Sequence, residues 1–177
     1  MMFENVLLPT DFSEDSSRVL RYVRDLPGAR TVTLFHVADG KSGRDENGEE
    51  DRPAAEPFTL LEEARQAIRS DPANGGVVVQ IRHSSVTNDD VARTILDAAQ
   101  EMETTLIMMG ARGKNRIRSV LLGSVSTNVI RRSTIPVLLM RFPPEGENAQ
   151  EHAPLFSRVL VPVDFSAPSD LVLRTIP

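Results

Sequence analysis

The sequence contains no cysteine. That absence removes disulfide bonds, thiol catalysis and zinc–thiolate sites from consideration. Long apolar runs are missing too, since none approaches the roughly 18 to 20 residues a membrane-spanning helix needs. The opening Phe3-Glu4-Asn5-Val6 has no basic stretch leading into an apolar core, so no signal peptide is visible. A cytoplasmic location fits these absences, and no membrane partner is expected. Nor is there a basic excess: 20 Lys and Arg stand against 25 Asp and Glu, a net charge of −5. Nucleic-acid surfaces draw on such an excess, so no nucleic-acid partner is expected.

What is present suits one well-packed domain, or one domain plus a fragment: 177 residues, 40% hydrophobic and 25% charged. Apolar runs alternate with amphipathic ones. Val6-Leu7-Leu8 reads as a short buried strand stopped by Pro9, and Val19, Val23 and Leu26 after Ser13 lie at helical spacing until Pro27-Gly28. Thr31 to Val37 is β-branched and apolar, a second strand. Leu61, Ala64 and Ile68 return to helical spacing before Asp71-Pro72, and Val77 to Ile81 is a third strand. Thr87, with Asp90 three residues on, predicts an N-cap for a helix whose apolar face is Val91, Ile95, Ala98 and Met102. Thr105 to Met109 then predicts a fourth strand, Val125 to Arg132 a short helix, and Val137 to Met140 a fifth strand. Strict alternation of this kind predicts an α/β fold with an open, mainly parallel five-stranded sheet and helices on both faces.

Two stretches interrupt the pattern. Asp39 to Pro57 is polar and rich in Gly and acids, which predicts a mobile loop; residues 143–155, rich in Pro, Glu and Gly, predict an interdomain linker. Beyond it the chain repeats itself. Phe156-Ser-Arg-Val-Leu-Val-Pro-Val-Asp-Phe-Ser166 matches Phe3-Glu-Asn-Val-Leu-Leu-Pro-Thr-Asp-Phe-Ser13 without a gap, and Val172-Leu173-Arg174 answers Val19-Leu20-Arg21. The expected organisation is therefore a domain over 1–142, a linker over 143–155, and over 156–177 the first strand and the start of the first helix of a second, truncated copy.

The chemistry-bearing residues follow the fourth strand. Met109-Gly110-Ala111-Arg112-Gly113 is followed, after nine residues, by Gly123-Ser124-Val125-Ser126. Glycine lets backbone amides approach an anion with no Cβ in the way. Gly123-Ser124 opens a helix whose first amides lack internal partners and carry partial positive charge. Ser124 and Ser126 add hydroxyl donors. Together they read as a phosphate cradle at the C-terminal end of a strand, where such sheets bind ligands. A Walker A loop is excluded, because only two residues separate Gly110 from Gly113 and Asn115 follows Lys114; the G-x-G-x-x-G pattern is missing as well. Tight turns and a plain helix start remain open on the glycines alone. So does a solvated charge run for Arg112, Lys114, Arg116 and Arg118, with Arg131 and Arg132 beyond.

The stretch from Met109 to Arg141 resembles the universal stress protein family, and specifically its ATP-binding branch. That branch is marked by Gly, two residues, Gly, nine residues, Gly and then Ser or Thr, positions filled by Gly110, Gly113, Gly123 and Ser124. Asn128-Val129-Ile130, Ile135-Pro136-Val137 and Pro9-Thr10-Asp11-Phe12-Ser13 extend the likeness over residues 3 to 141. The resemblance implies a Rossmann-like fold of the adenine nucleotide alpha hydrolase type, and ATP, or ADP or AMP, as ligand. By its pattern Pro9, Thr10 and Asp11 would close the first strand, with Asp11 accepting from ribose or adenine, and Val37 would pack on adenine. Met109 and Gly110 would flank ribose and phosphates, while Gly113, Gly123, Ser124, Val125 and Ser126 would hold the triphosphate. Mg²⁺ or Mn²⁺ would bridge phosphate oxygens rather than sit in a protein cage. Arg112 departs from a common His, and as Arg it could donate to phosphate.

Plainer accounts stand beside these. Asp11 could be only an Asx-turn residue, and Val37 and Met109 only core. His36, His83 and His152 are isolated, and none is assigned a catalytic or metal role. Asp11 and Asp15 have no nucleophile or base beside them, and no hydrolytic triad is visible. The leading expectation is an adenine-nucleotide-binding stress-response or signalling switch with slow or no hydrolysis. The alternatives are an ATPase or phosphotransferase using Asp11 or Arg112, and an interaction module that binds no nucleotide. The apolar fifth strand, Pro136 to Met140, should end the sheet; it implies a homodimer, or a pseudo-dimer within a tandem chain.

Overall fold

The computed structural model describes residues 3–38, 56–86, 90–113, 122–142, 154–167 and 169. The expected loop over 39–55, Thr87, the basic residues Lys114, Arg116 and Arg118, and the linker over 143–153 lie outside the described residues.

Five strands form one sheet: β1 (Asn5–Pro9), β2 (Thr31–Ala38), β3 (Val78–Ser85), β4 (Leu106–Gly110) and β5 (Val137–Met140), in the order β3-β2-β1-β4-β5. All four pairings are parallel. Helices α1 (Glu14–Val19), α2 (Pro57–Ser70), α3 (Val91–Glu101) and α4 (Ser124–Arg132) supply the crossovers.

Side-chain alternation along each strand divides the core in two. Val6, Leu8, Val32, Leu34, Leu106 and Met108 pack with Val19, Leu61 and Ile68 on the side of α1 and α2. Leu7, Phe35, Ile107 and Met109 pack with Ala92, Ile95 and Val129 on the side of α3 and α4. Leu7, Leu8, Leu34, Ile107 and Met108 are fully buried, each contributing about 2 kcal/mol of apolar burial. A central strand buried on both faces must be apolar throughout, which is why β1 and β4 read as unbroken hydrophobic runs.

The order reverses direction at the β1–β4 pair. From β1 the chain winds outward through β2 to β3; it then crosses back to β4 and continues to β5. Loops after β1 and β4 therefore diverge to opposite faces and leave a crevice at their carboxyl ends, the usual ligand position in open α/β sheets.

Three expectations are corrected. The helix expected from Ser13 to Leu26 is α helix only to Val19 and a 3-10 helix over Leu20–Asp25. A 3-10 continuation tightens the last turns while keeping Val19, Val23 and Leu26 in the core. The N-cap of α3 is Asp90, whose carboxylate accepts from the Arg93 amide at 2.9 Å. Asp caps as well as Thr, and the apolar face begins at Val91 either way. Strand β3 runs on past Ile81 to Ser85. It is an edge strand paired only with β2, so Arg82, His83, Ser84 and Ser85 can sit in it with one side open.

Among the described residues of 154–169 there is no strand. Val159 is 55% exposed, Leu160 92% and Phe165 90%, where their counterparts Val6 and Leu7 are almost fully enclosed. The turn that follows is nonetheless the same in both copies. Phe12 and Phe165 take φ of 59° and 60°, the left-handed region. The Ser13 amide donates to Asp11 Oδ1 at 3.0 Å, and the Ser166 amide to Asp164 Oδ1 at 2.9 Å. Ser16 Oγ donates to the Ser13 carbonyl at 2.8 Å, and Ser169 Oγ to the Ser166 carbonyl at 3.0 Å.

Candidate functional site

Pro9 ends β1 without an N–H to offer. The ladder is continued by the Thr10 amide, which donates to the Phe35 carbonyl at 2.9 Å. Thr10 Oγ1 accepts from the Phe12 amide at 3.1 Å and lies 3.1 Å from Ser16 Oγ. Asp11 projects from this turn with one oxygen held by the Ser13 amide. The Asx-turn reading of Asp11 is thus part of its geometry, and it leaves the second oxygen pointing elsewhere.

That second oxygen points at Gly113. A Cβ built on Gly113 would meet Asp11 Oδ2 at less than 3.0 Å, closer than real Cβ contacts come. A Cβ on Gly110 would stand 3.4 Å from Asp15 Cβ and from the Arg112 carbonyl. The two loops of the crevice therefore approach each other over glycine.

The second glycine turn is tied to the first. The Ala111 carbonyl accepts from the Gly123 amide at 2.8 Å and from Ser126 Oγ at 2.9 Å. Ser126 is buried, and its hydroxyl also lies 3.0 Å from the Gly123 carbonyl. Sequence reasoning made this hydroxyl a ligand donor; in the structure it joins the two turns. Gly123 supplies no capping side chain to α4, so the first amides of that nine-residue helix receive no side-chain acceptor from their cap. Beside them, Arg112 Nε is enclosed and has no hydrogen-bond partner among the described residues. A buried donor of this kind calls for an acceptor from elsewhere.

The other candidates divide between core and surface. Met109 is buried between the sheet and α3 and α4, and Val37 and Val125 pack half-buried against the same cluster. Thr10, Asp11, Gly110, Arg112 and Gly113 are half-exposed, and Pro9 is buried. A cavity of about 630 Å³ lies instead between α3 and α4, lined by Arg93, Asp97, Glu103 and Arg132, away from the glycine turns.

Sequence reasoning missed His36. It is buried, its Nδ1 lies 2.8 Å from the Thr10 carbonyl, and its ring stacks on Phe12 with centroids 4.5 Å apart. Alternation along β2 was the available signal, since it places His36 on the same face as Val32 and Leu34.

The sequence profile described as the universal stress protein family matches residues 2–141. The chain belongs to the universal stress protein family. Universal stress protein MJ0577 of Methanocaldococcus jannaschii is 30% identical over 166 residues, covering 80% of this chain and 96% of the relative. The solved structure of MJ0577 superposes with a TM-score of 0.61 at 28% identity, covering 81% of this chain and 99% of that one. Two further universal stress protein structures share the fold at 23% identity. One, in complex with cAMP, has a TM-score of 0.56 and covers 80% of this chain and 98% of its own. The other, from Archaeoglobus fulgidus in complex with dAMP, has a TM-score of 0.53 and covers 78% and 98%. These likenesses show that the five-stranded parallel sheet is the fold of that family.

Proposed function

We propose that residues 3–142 bind an adenine nucleotide, ATP in the first instance and otherwise ADP or AMP, in the crevice between the loops after β1 and β4. The carrying observation is the convergence there of two glycine turns joined through the Ala111 carbonyl, with uncapped α4 amides and the unpartnered Arg112 Nε beside them. Amides at an uncapped helix start, and a buried Nε with no partner among the described residues, suit phosphate oxygens. Adenine is the base to try first, because cAMP and dAMP, the ligands of the two neighbours, share it.

In this reading Met109 and Gly110 flank the ribose and phosphates, and Arg112, Gly113, Gly123, Ser124 and Val125 surround the phosphates, with Ser126 bracing them. Pro9, Thr10 and Asp11 face the ribose or adenine, and Val37 packs on the adenine. Mg²⁺ or Mn²⁺ would neutralise charge on the phosphate oxygens rather than sit in a protein cage. Occupancy rather than turnover is the output, with hydrolysis slow or absent, as befits a stress-response or signalling switch. Isothermal titration of the chain with Mg-ATP, Mg-ADP and AMP tests the reading. One site is expected on residues 3–142, and failure of all three to bind at millimolar concentration would sink it.

The proposal extends to organisation. Residues 143–155 link, and 156–177 open, a second copy of the same unit; the reproduced turn at Asp164-Phe165-Ser166 supports this. Strand β5 ends the sheet, with Val137, Leu138 and Leu139 only half-buried, which supports edge-to-edge pairing with a second chain or a second unit. A cytoplasmic location completes the reading.

A further inference from the structure

Among the described residues, the Asp11 carboxylate stands against Gly113, and the turn that carries it is held in two ways. The bond from the Ser13 amide is local and fixes the turn internally. What fixes the turn against the sheet is the Thr10 peptide. Its N–H is held by the Phe35 carbonyl at 2.9 Å, and the Thr10 carbonyl lies 2.8 Å from Nδ1 of the next residue along β2, His36. A carbonyl only accepts, so Nδ1 carries the proton. The same imidazole stacks on Phe12, whose left-handed backbone is costly for a bulky residue. His36 therefore grips the residues on both sides of Asp11.

The chain supplies its own control. Asp164-Phe165-Ser166 forms the same turn, with the same left-handed φ and the same Ser-to-Asp bond, although Phe165 is 90% exposed and no ring stacks on it among the described residues. Turn formation thus needs no imidazole. What the first copy adds is attachment to β2, and with it the approach of Asp11 Oδ2 to Gly113.

We infer that His36 is a positioning residue for the nucleotide site: it anchors the Thr10–Phe12 turn to the sheet and so sets the Asp11 carboxylate against the Gly113 loop. This rests on the nucleotide reading above. His36→Phe keeps a ring over Phe12 and removes the donor; His36→Asn places an amide N–H near the Nδ1 position and removes the ring. In titrations of the full chain with Mg-ATP, His36→Phe should weaken binding about three- to tenfold, as for loss of one hydrogen bond. His36→Asn should recover most of that loss. In an Asp11→Asn background the His36→Phe effect should shrink towards none, because the anchor acts through that carboxylate.

Parent-like binding by His36→Phe would overturn the inference, as would His36→Asn binding as weakly as His36→Phe, or an undiminished effect in the Asp11→Asn background. A measurement without mutation guards against variants that fail to fold. Nitrogen-15 spectra of the parent's imidazoles at alkaline pH should show His36 as the Nδ1-protonated neutral tautomer, and the Nε2-protonated form would refute the anchor. A parent that binds no nucleotide would overturn the nucleotide reading and the positioning role with it, while the tautomer still reports on the anchor alone.

Discussion

Replacing Gly113 by Ala puts the crevice under direct test. The new Cβ would fall on Asp11 Oδ2 from below 3.0 Å, and ordinary contact begins at 3.4 Å. Either the loop or the carboxylate has to give way. The carboxylate is short and is held by the Ser13 amide at 3.0 Å, so moving it sacrifices that bond, worth about 1 kcal/mol net. For a chain of this size 1 kcal/mol corresponds to a fall in Tm of about 2–4 °C. On the proposed nucleotide reading, binding should suffer more than stability, since the displaced carboxylate would no longer meet the ligand and the added methyl would lie where a phosphate approaches: a loss of tenfold or more, about 1.4 kcal/mol. Gly123→Ala is the matched control. Its Cβ would meet Ala111 O and Ser126 Oγ at 3.5 Å, ordinary contact, at a φ of −70° that alanine adopts freely. It should melt like the parent and lose affinity only through the phosphates. Thermal melts and Mg-ATP titration of the three proteins decide the matter. If Gly113→Ala melts and binds like the parent, the approach of Asp11 to Gly113 is not a feature of the protein in solution.

Three further outcomes are expected. The Arg132 guanidinium, 2.6 Å from Asp90, and then the Arg93 amide hold the Asp90 carboxyl below its ordinary value of 3.8. Its stabilising effect is therefore present above pH 3.8 and lost as pH falls through the lower folded value, so the gap in Tm between parent and Asp90→Asn should be open at neutral pH and closed in strong acid. Phe12→Ser should cost about 2 kcal/mol, roughly 4–8 °C in Tm, whereas Phe165→Ser should leave the melt unchanged; equal losses would mean that the second copy is packed. Light scattering should report a dimer that Leu138→Lys shifts towards monomer, and a parent that stays monomeric at high micromolar concentration would refute pairing through β5.

Much of the sheet was legible because burial on two faces leaves little choice of residue. Leu7 and Ile107 had to be apolar, and the runs around them marked β1 and β4. The end of β3 was not legible for the complementary reason: an open edge accepts His83 and Ser84 as readily as a loop does. Thr87 and Asp90 are both good caps, so the sequence could not choose between them. The glycine spacing announced two turns but not their junction, because the Ser126 hydroxyl could serve a ligand or a carbonyl equally well. The burial of His36 was legible from alternation along β2, but its bond was not, because the acceptor is the Thr10 carbonyl, a backbone group 26 residues away. No side-chain pattern can signal a backbone carbonyl.

The two copies of the Asp-Phe-Ser turn separate what a short sequence encodes from what a fold adds. Around Asp11 and around Asp164 these hydrogen bonds agree to within 0.2 Å (3.0 and 2.9 Å for the amide bonds, 2.8 and 3.0 Å for the hydroxyl bonds), although Val163 cannot repeat the Phe12 amide bond to Thr10 Oγ1. Burial does not agree. Leu7 is enclosed between strands and helices, while Leu160 is 92% exposed, a difference worth about 2 kcal/mol for that side chain alone. Val159 and Phe165 add to the same deficit. A turn without a sheet has a carboxylate but no Gly113 to face, and so no site. The β1–β4 reversal converts the motif into a crevice by bringing two glycine turns, an uncapped helix and an anchored carboxylate to one edge of the sheet. Any ligand site in a second unit would therefore require strands that the described residues of 154–169 do not themselves provide.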